Sequence, residues 1–407
     1  MSGLDKAKNV SLEPVIAPTL QSEVLYAQTV STKNLIVEGS AVLPDGAVDL
    51  TNYAYMPSTQ LGFRNKIING SVIIDQRGSA TTPVVGTGYS ADRWFFEDGC
   101  DAVFSTGQST DVPKGQGFSR SIKSTVTTAN TSVTTNEFSV LTYFIEGTDS
   151  ASFAWGGAGA KAITASFWVK SSVAGTYSFT LYNNGASRIY PASYTVNIPN
   201  TWEKKIIQIP GDTAGTWLTT NGRGVVVNFY TSLSSNYLGL STWNSSGIYG
   251  VVGQVNAAAA VGNTFSVTGL QIEEGSVATP FEHRPIGTEL ALCQRYYWRS
   301  EDDSYFGTVF STGIFDFRVE LPVEMRVRPL QSNNITAVIL TISPAATQVN
   351  VYNGAFTGVP TTYGSGATMS SKKGGVIRFS GGSGGTNGFG GRLLCGTSVY
   401  FDFDAEL

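Results

Sequence analysis

The side chains that carry most enzyme and metal chemistry are scarce in this chain of 407 residues. It has one histidine, His283, and three cysteines, Cys100, Cys293 and Cys395. A serine or cysteine nucleophile needs a base within hydrogen-bond reach. His283, in "ATPFEHRP", is the single imidazole that could serve, and no Gly-x-Ser-x-Gly elbow is present. One histidine and three scattered cysteines make none of the common zinc sets; neither Cys-x-x-Cys nor His-Glu-x-x-His occurs. No EF-hand spacing is found, which leaves calcium only on turn carboxylates. The stretch "SGGSGGTNGFGG" at 380–391 lacks the Gly-Lys-Ser/Thr ending of a phosphate loop and reads as a tight or flexible turn. No catalytic residue, metal site or cofactor is expected.

Carboxylates and aromatic rings remain. Glycoside hydrolysis needs only two Asp or Glu residues at a set separation. "SADRWFFEDGCD" offers Asp92, Glu97, Asp98 and Asp101, and "SEDDSY" offers Glu301, Asp302 and Asp303. The plainer reading is turn chemistry at 97–99 and a solvated loop at 301–303, so the chain is expected not to be an enzyme. The seven Trp and 18 Tyr suggest sugar binding, because aromatic faces stack on pyranose C–H faces. Trp168 and Trp202 fall inside strand patterns and are expected in the core. Trp243 and Tyr237 in "NYLGLSTWNSSGIYG", Tyr363 in "TTYGSGA" and Tyr305 beside "SEDD" have polar, loop-like surroundings. These four are the candidate ligand-binding residues, although such aromatics also occur at subunit seams.

The elements that must position them are strands. Charged residues make up 14% of the chain, well below the usual ~25%, while glycine reaches 46 residues. The net charge is −4 and the densest basic runs are "EKK" at 203–205 and "SKK" at 371–373. Nucleic acid is therefore not an expected partner, since phosphate binding needs clustered cations. No apolar run approaches the ~20 residues of a spanning helix, and "MSGLDKAKNVSLEP" has no signal-peptide core. No membrane insertion is expected. Three distant cysteines imply no disulfide framework, and suggest synthesis in a reducing cytoplasm.

Residues 25–60 alternate apolar triplets, such as Leu35-Ile36-Val37 and Ala41-Val42-Leu43, with small polar turns. Each is too short to bury its own apolar face. An intertwined oligomeric stem is the favoured reading, with an edge hairpin on the next domain as the alternative. Residues 61–284 read as strands separated by turns. Asn69-Gly70 in "RNKIINGSVIID" is a hairpin signal. Ile163, Ala165, Phe167 and Val169 alternate in "KAITASFWVKSS", as do Tyr177, Phe179 and Leu181 in "GTYSFTLYNNG". "TWEKKIIQIP", "RGVVVNFYTS" and a half-exposed closing strand in "NTFSVTGLQIEEG" complete a jelly-roll sandwich. Residues 285–407 form a second β-unit, beginning with a helical turn in "ELALCQRYYWRS" and ending in "FDFDAEL". The fold class is thus all-β: a stem over 1–60, a jelly roll over 61–284 and a β-sandwich tip over 285–407.

Three stretches carry a resemblance. "NKIINGSVIIDQRG" followed by "YSADRWFF" resembles the opening of a domain recurrent in bacteriophage tail-fibre and related virion proteins. "ASFWVKSSVAGTYSFTLYNNG" with "TWEKKIIQIPGDTAGTW" is similar to the middle strands of carbohydrate-binding-module-like jelly rolls. "VTGLQIEEGSVATPFEHRPIGTELALCQRYYW" resembles the closing strand and the exit into a fibre tip. Together they span roughly residues 61–300. The resemblance implies a virion fibre, on the tail or the head, assembled in the host cytoplasm as a homotrimer. It implies attachment to other virion proteins through the N-terminus and recognition of host-surface polysaccharide. A glycan depolymerase, and a capsid or baseplate decoration with no receptor, are the rival readings. His283 then marks an inter-domain seam, with Glu282 and Arg284 paired beside it and Phe281 plugging the sandwich edge.

Overall fold

The computed structural model describes residues 63–300, 304–311, 314–327, 341–342, 350–351, 362–363, 368–380, 390–394 and 401–407. All the described residues belong to one compact unit. The expected stem at 25–60 lies outside the described residues, as do Glu301, Asp302 and Asp303.

Two six-stranded antiparallel sheets face each other. The first runs, in spatial order, β1 (Val84–Val85), β4 (Val103–Ser109), β5 (Ser121–Thr128), β14 (Thr264–Glu274), β7 (Ile163–Ser171) and β10 (Glu203–Ile209). The second runs β2 (Gly88–Tyr89), β3 (Trp94–Gly99), β6 (Phe138–Glu146), β11 (Arg223–Leu233), β8 (Gly175–Asn183) and β9 (Ile189–Val196). Neighbours in a sheet are mostly non-consecutive in sequence, and the chain crosses repeatedly between the layers. This is the expected jelly roll. A short helical turn, α1 (Gly147–Ser150), follows β6, and a two-stranded parallel pair, β12 (Leu238–Gly239) with β13 (Gly250–Val251), lies in the loop after β11.

Period-two alternation builds the core. Ile163, Ala165, Phe167 and Val169 of β7 and Tyr177, Phe179 and Leu181 of β8 are all fully buried. Phe167 stacks on Phe179 at 5.5 Å, and both meet Phe229 of β11 edge-on at 4.9 and 5.1 Å. Pairs of this kind contribute ~0.5–1.5 kcal/mol beyond the area they bury.

Three local expectations are corrected. Asn69-Gly70 does not turn a hairpin. Asn69 has φ +57° and is fully buried, and its side chain holds Ile74 N–H and the carbonyls of Ile74 and Asp92 in a compact plug. Glu97, Asp98 and Gly99 end strand β3 instead of forming a turn. Strand β14 is central, between β5 and β7, and is not half-exposed. Gln271 and Glu273 on its outer face are buried because Thr279 and Glu282 fold over them: Thr279 N–H and hydroxyl bond Glu273, and Glu282 N–H bonds Gln271.

Beyond Pro285 comes α2 (Ile286–Gln294), then β15 (Tyr297–Ser300), β16 (Ser304–Ser311), β17 (Ile314–Glu320), β18 (Thr341–Ile342), β19 (Asn350–Val351), β20 (Thr362–Tyr363), β21 (Thr368–Ser371), β22 (Gly374–Ser380), β23 (Gly390–Leu394) and β24 (Phe401–Asp404). β15, β24 and β18 form one sheet, and β19, β23, β16, β17, β22 and β20 a second, with β21 also on β22. Residues from α2 and the C-terminal segment pack on the jelly roll. Cys293, Tyr296 and Leu407 share an apolar cluster with Ile68, Ile74, Phe144 and Val226.

Candidate functional site

The outer face of the second sheet collects side chains suited to holding a polar, ring-shaped ligand. Strand register aligns them in rows. Glu97, Val140 and Tyr230 form one; Phe95, Thr142, Asn228, Thr180 and Pro191 the next; Phe144, Val226, Tyr182 and Ile189 the third. Each is outward because its strand neighbours, such as Phe96, Leu141, Phe229 and Leu181, fill the core.

Both ends of this face are covered. At one end Tyr237, Leu238 and Tyr249 pack on Val140, Tyr230 and Leu233. That cover is pinned by the Thr180 hydroxyl donating to the Tyr249 carbonyl, and by Val251 N–H donating to Ser178 Oγ at 3.0 Å. At the other end Leu407 and α2 lie over Phe144 and Val226. Phe95, Glu97 and Tyr182, with Tyr237 and Tyr249 of the first cover, stay partly exposed and outline a strip over the buried Thr142, Asn228 and Tyr230.

The strip has a tyrosine wall and a polar floor. Tyr249 meets Tyr182 and Tyr237 edge-on, each at 5.6 Å. On the floor Asn228 accepts from the Thr142 hydroxyl at 2.9 Å and donates to the Tyr230 hydroxyl at 3.0 Å. Burial, with Tyr249 nearby, pushes the Tyr182 hydroxyl up to about 12. Burial likewise raises Tyr230 and Tyr249, so these hydroxyls stay protonated at neutral pH. Burial also raises the Glu97 carboxyl, opposed by the Arg223 charge. Arg223 stacks on Phe144 at 4.2 Å and donates to the Leu407 carbonyl at 2.8 Å. Phenol rings, hydroxyl donors and one carboxylate acceptor along a sheet can meet both the apolar faces and the hydroxyls of a sugar.

The structure brings one of the four sequence candidates, Tyr237, into this strip. Trp243 lies in an aromatic cluster at the sandwich edge. It meets Trp155, Trp217 and Tyr190 at 5.3, 5.7 and 5.1 Å, and its indole N–H is taken by the Pro210 carbonyl at 2.9 Å. Tyr305 and Tyr363 fall on β16 and β20, and their side chains lie outside the described residues. Tyr182, Asn228 and Tyr249 were missed, and Glu97 was named only as a possible catalytic carboxylate. For Tyr182 and Asn228 the signal was present: in "GTYSFTLYNNG" and "RGVVVNFYTS" they occupy the outward parity.

The carboxylates named as a possible pair do not converge. Asp92 is fully interior and accepts from the Gln76 backbone at 2.7 Å and side chain at 2.8 Å; burial pushes it up to about 6. Glu97 faces the strip. Asp98 has the opposite parity on β3 and accepts from Phe104 N–H of the first sheet at 3.2 Å.

His283 lies in a shallow depression with Phe281, Glu282 and Arg284. Its ring packs against Phe281 at 4.8 Å and Phe118 at 5.5 Å. Arg284 pairs with Glu282 at 3.5 Å and Glu289 at 3.4 Å, so the expected local pairing is present. The charges here are already matched within the fold. Trp168 and Trp202, expected in the core, are instead partly exposed on the outer face of the first sheet, because Phe167 and Val169 take the inward parity of β7.

No protein-family model and no curated protein sequence matches the chain. Among solved structures it overlays on the enzymatically active domain of tailspike protein 4 from bacteriophage CBA120, at 13% identity and TM-score 0.27, covering 52% of this chain and 22% of that one. The match thus spans about a fifth of the length of that tailspike domain. It also overlays on the family 11 carbohydrate-binding module of Clostridium thermocellum in complex with a β-1,3-1,4-mixed-linked tetrasaccharide, at 15% identity and TM-score 0.25, covering 48% of this chain and 98% of that one. A third overlay is TmCBM61 in complex with β-1,4-galactotriose, at 9% identity and TM-score 0.26, covering 52% and 100%. The jelly-roll assignment itself rests on strand order and register.

Proposed function

We propose that the jelly roll binds a glycan chain along this strip and does not cleave it. The observation that carries this reading is the tyrosine line Tyr182–Tyr249–Tyr237, set above the Thr142–Asn228–Tyr230 network and opposite Glu97. Rings supply apolar contact and the hydroxyls and Glu97 supply orientation. Among the described residues a single carboxylate of the suspected set, Glu97, faces the strip, which favours recognition over hydrolysis. The test is a glycan array probed with the full chain, followed by Tyr182→Ala and Tyr249→Ala. Each variant weakens binding by about tenfold, or about 1.4 kcal/mol. A bound glycan whose affinity ignores both variants sinks the assignment of the strip. Shortened glycan products after incubation would restore the depolymerase reading.

We further read the chain as a bacteriophage virion appendage, a tail or head fibre, that adsorbs to host-surface polysaccharide. The resemblance of residues 61–300 to a virion domain and the triplet pattern at 25–60 support this. In this reading residues 1–60 attach to other virion proteins and intertwine three chains, the jelly roll forms the body and residues 285–407 the tip. Trimerisation multiplies weak sites into avidity. Light scattering on the purified chain then gives three times 43.2 kDa. A monomer refutes the fibre. A trimer that sticks to no host cell favours the decoration reading.

A further inference from the structure

The outer face of the first sheet carries a second set of unsatisfied chemistry. Register places Lys123 of β5, Ser266 of β14 and Lys170 of β7 in one row, and Thr268, Trp168 and Lys204 of β14, β7 and β10 in the next. Trp202 precedes β10 with the parity of Lys204, so it shares this face. Ser266 and Thr268 form a buried floor, Lys123, Lys170, Trp168 and Trp202 are partly exposed, and Lys204 is exposed.

Asp111, on the loop after β4, reaches onto this face. Its carboxylate takes Lys170 Nζ at 2.7 Å on one oxygen and Trp202 Nε1 at 3.1 Å on the other. The face therefore already demonstrates how it holds a carboxylate: one ammonium and one indole N–H. Among the described residues, neither Lys123 nor Lys204 makes an ion pair. Three lysines against one aspartate leave a surplus of positive charge, on a chain whose net charge is −4.

We propose that this face is a second binding surface, separate from the tyrosine strip, for an acidic polysaccharide. Lys123 and Lys170 stand two strands apart, about 10 Å. That suits anionic groups on alternate sugars of a chain lying across the strands, with the indoles against its apolar faces. Nucleic acid fits less well. The nearby arginine, Arg120, is tied to Gln108 Oε1 at 3.1 Å, and three spaced lysines do not make the dense cation track that a phosphate backbone selects.

The experiment is titration calorimetry of the full chain with fragments of polygalacturonate, alginate and hyaluronan, with methyl-esterified polygalacturonate as the uncharged control. At least one acidic glycan binds, with an affinity that falls as salt rises. The double variant Lys123→Gln/Lys170→Gln weakens it by tenfold or more. Asp111→Asn strengthens it, by removing the competing carboxylate. Tyr249→Ala, in the strip, leaves it unchanged, which separates failure of this proposal from failure of the strip. The proposal is overturned if no acidic fragment binds, if the ester binds as well, if the lysine variants have no effect, or if single-stranded DNA binds as tightly as the glycan. Unchanged melting temperatures of the variants establish that folding is not what has been lost.

Discussion

Replacing Glu406 by Gln tests how the C-terminal segment is held against the jelly roll. Arg93 is buried, with its side chain 1% exposed, and sits at φ +72°. Its guanidinium lies 3.6 Å from the Tyr296 ring centroid and 5.3 Å from that of Tyr143, and donates to the Phe144 carbonyl. Its counter-charge is Glu406, which accepts from the guanidinium and, at 3.1 Å, from the Arg93 backbone N–H. Removing one partner of a buried pair strands the other, at a cost of about 3–5 kcal/mol. Replacing both by apolar groups of similar volume removes the stranded Arg93 charge; Glu406 also pairs with Arg77 at 3.5 Å, so Arg93→Met/Glu406→Met recovers part of the cost of the single variant and not all of it. Urea unfolding followed by tryptophan fluorescence measures both. At about 2 °C per kcal/mol for a domain of this size, Glu406→Gln lowers Tm by about 6–10 °C. The reasoning fails if Glu406→Gln costs under ~1 kcal/mol, or if the double variant costs more than the single. Either result would mean that Arg93 finds solvent or another carboxylate in place of Glu406.

Further outcomes follow from the same geometry. Gly269, at φ +64° in β14, has no room for a side chain, since an added Cβ would lie 2.5 Å from Phe118 Cζ. Gly269→Ala therefore costs about 2 kcal/mol in urea, and adding Phe118→Ala relieves the clash but not the backbone strain. Asp98 is pushed by burial to about 6, against an ordinary 3.8, with Phe104 N–H opposing. Its folded pKa is raised, so its contribution is full below about pH 4 and fades as pH rises through 6; Asp98→Asn lacks this. Asp98 is partly exposed and solvent screens much of the burial penalty, so unfolding curves at pH 4 and 7 should show the parent losing about 1 kcal/mol relative to the variant, and parallel curves would discount the burial. Asp212 clamps Arg188 through contacts of 2.7 and 2.6 Å beside Trp217 and Trp243. Trp243→Ala lowers stability by about 2–3 kcal/mol while leaving glycan affinity at the tyrosine strip intact; lost affinity with intact stability would return Trp243 to the ligand.

Parity explains both what the sequence made legible and what it hid. Strands β7 and β8 were readable because one apolar face alternates cleanly, and the helical turn read in "ELALCQRYYWRS" falls within α2, which starts directly after Pro285. The same alternation assigns Trp168 outward once Phe167 is inward. Aromatic character alone pointed to the core, and tertiary position prevailed. Gln271 and Glu273 were misread for the converse reason: their parity is outward, but a segment folding back from Thr279 buries them. Such burial is long-range and leaves no mark in the local pattern. Asn69-Gly70 supplied turn chemistry without flanking strands, because Asn69 spends its side chain on Ile74 and Asp92.

The candidate strip was the least legible feature, because it draws on β3, β6, β11, β8 and the loop that carries Tyr237 and Tyr249. Those strands become neighbours only through the crossovers of the jelly roll. A one-residue slip in any of them would send Glu97, Asn228 or Tyr182 into the core. The registers Thr142 with Asn228 and Val226 with Tyr182 are held by apolar partners on the inner face. The residues that specify the fold thereby also fix the spacing of the outer face, while its chemistry is free to differ between sheets. One sheet turns out tyrosines over an amide–hydroxyl network, and the other lysines and indoles over small hydroxyls. If the two faces bind as proposed, ligand choice on either changes by outward substitutions that leave the core untouched.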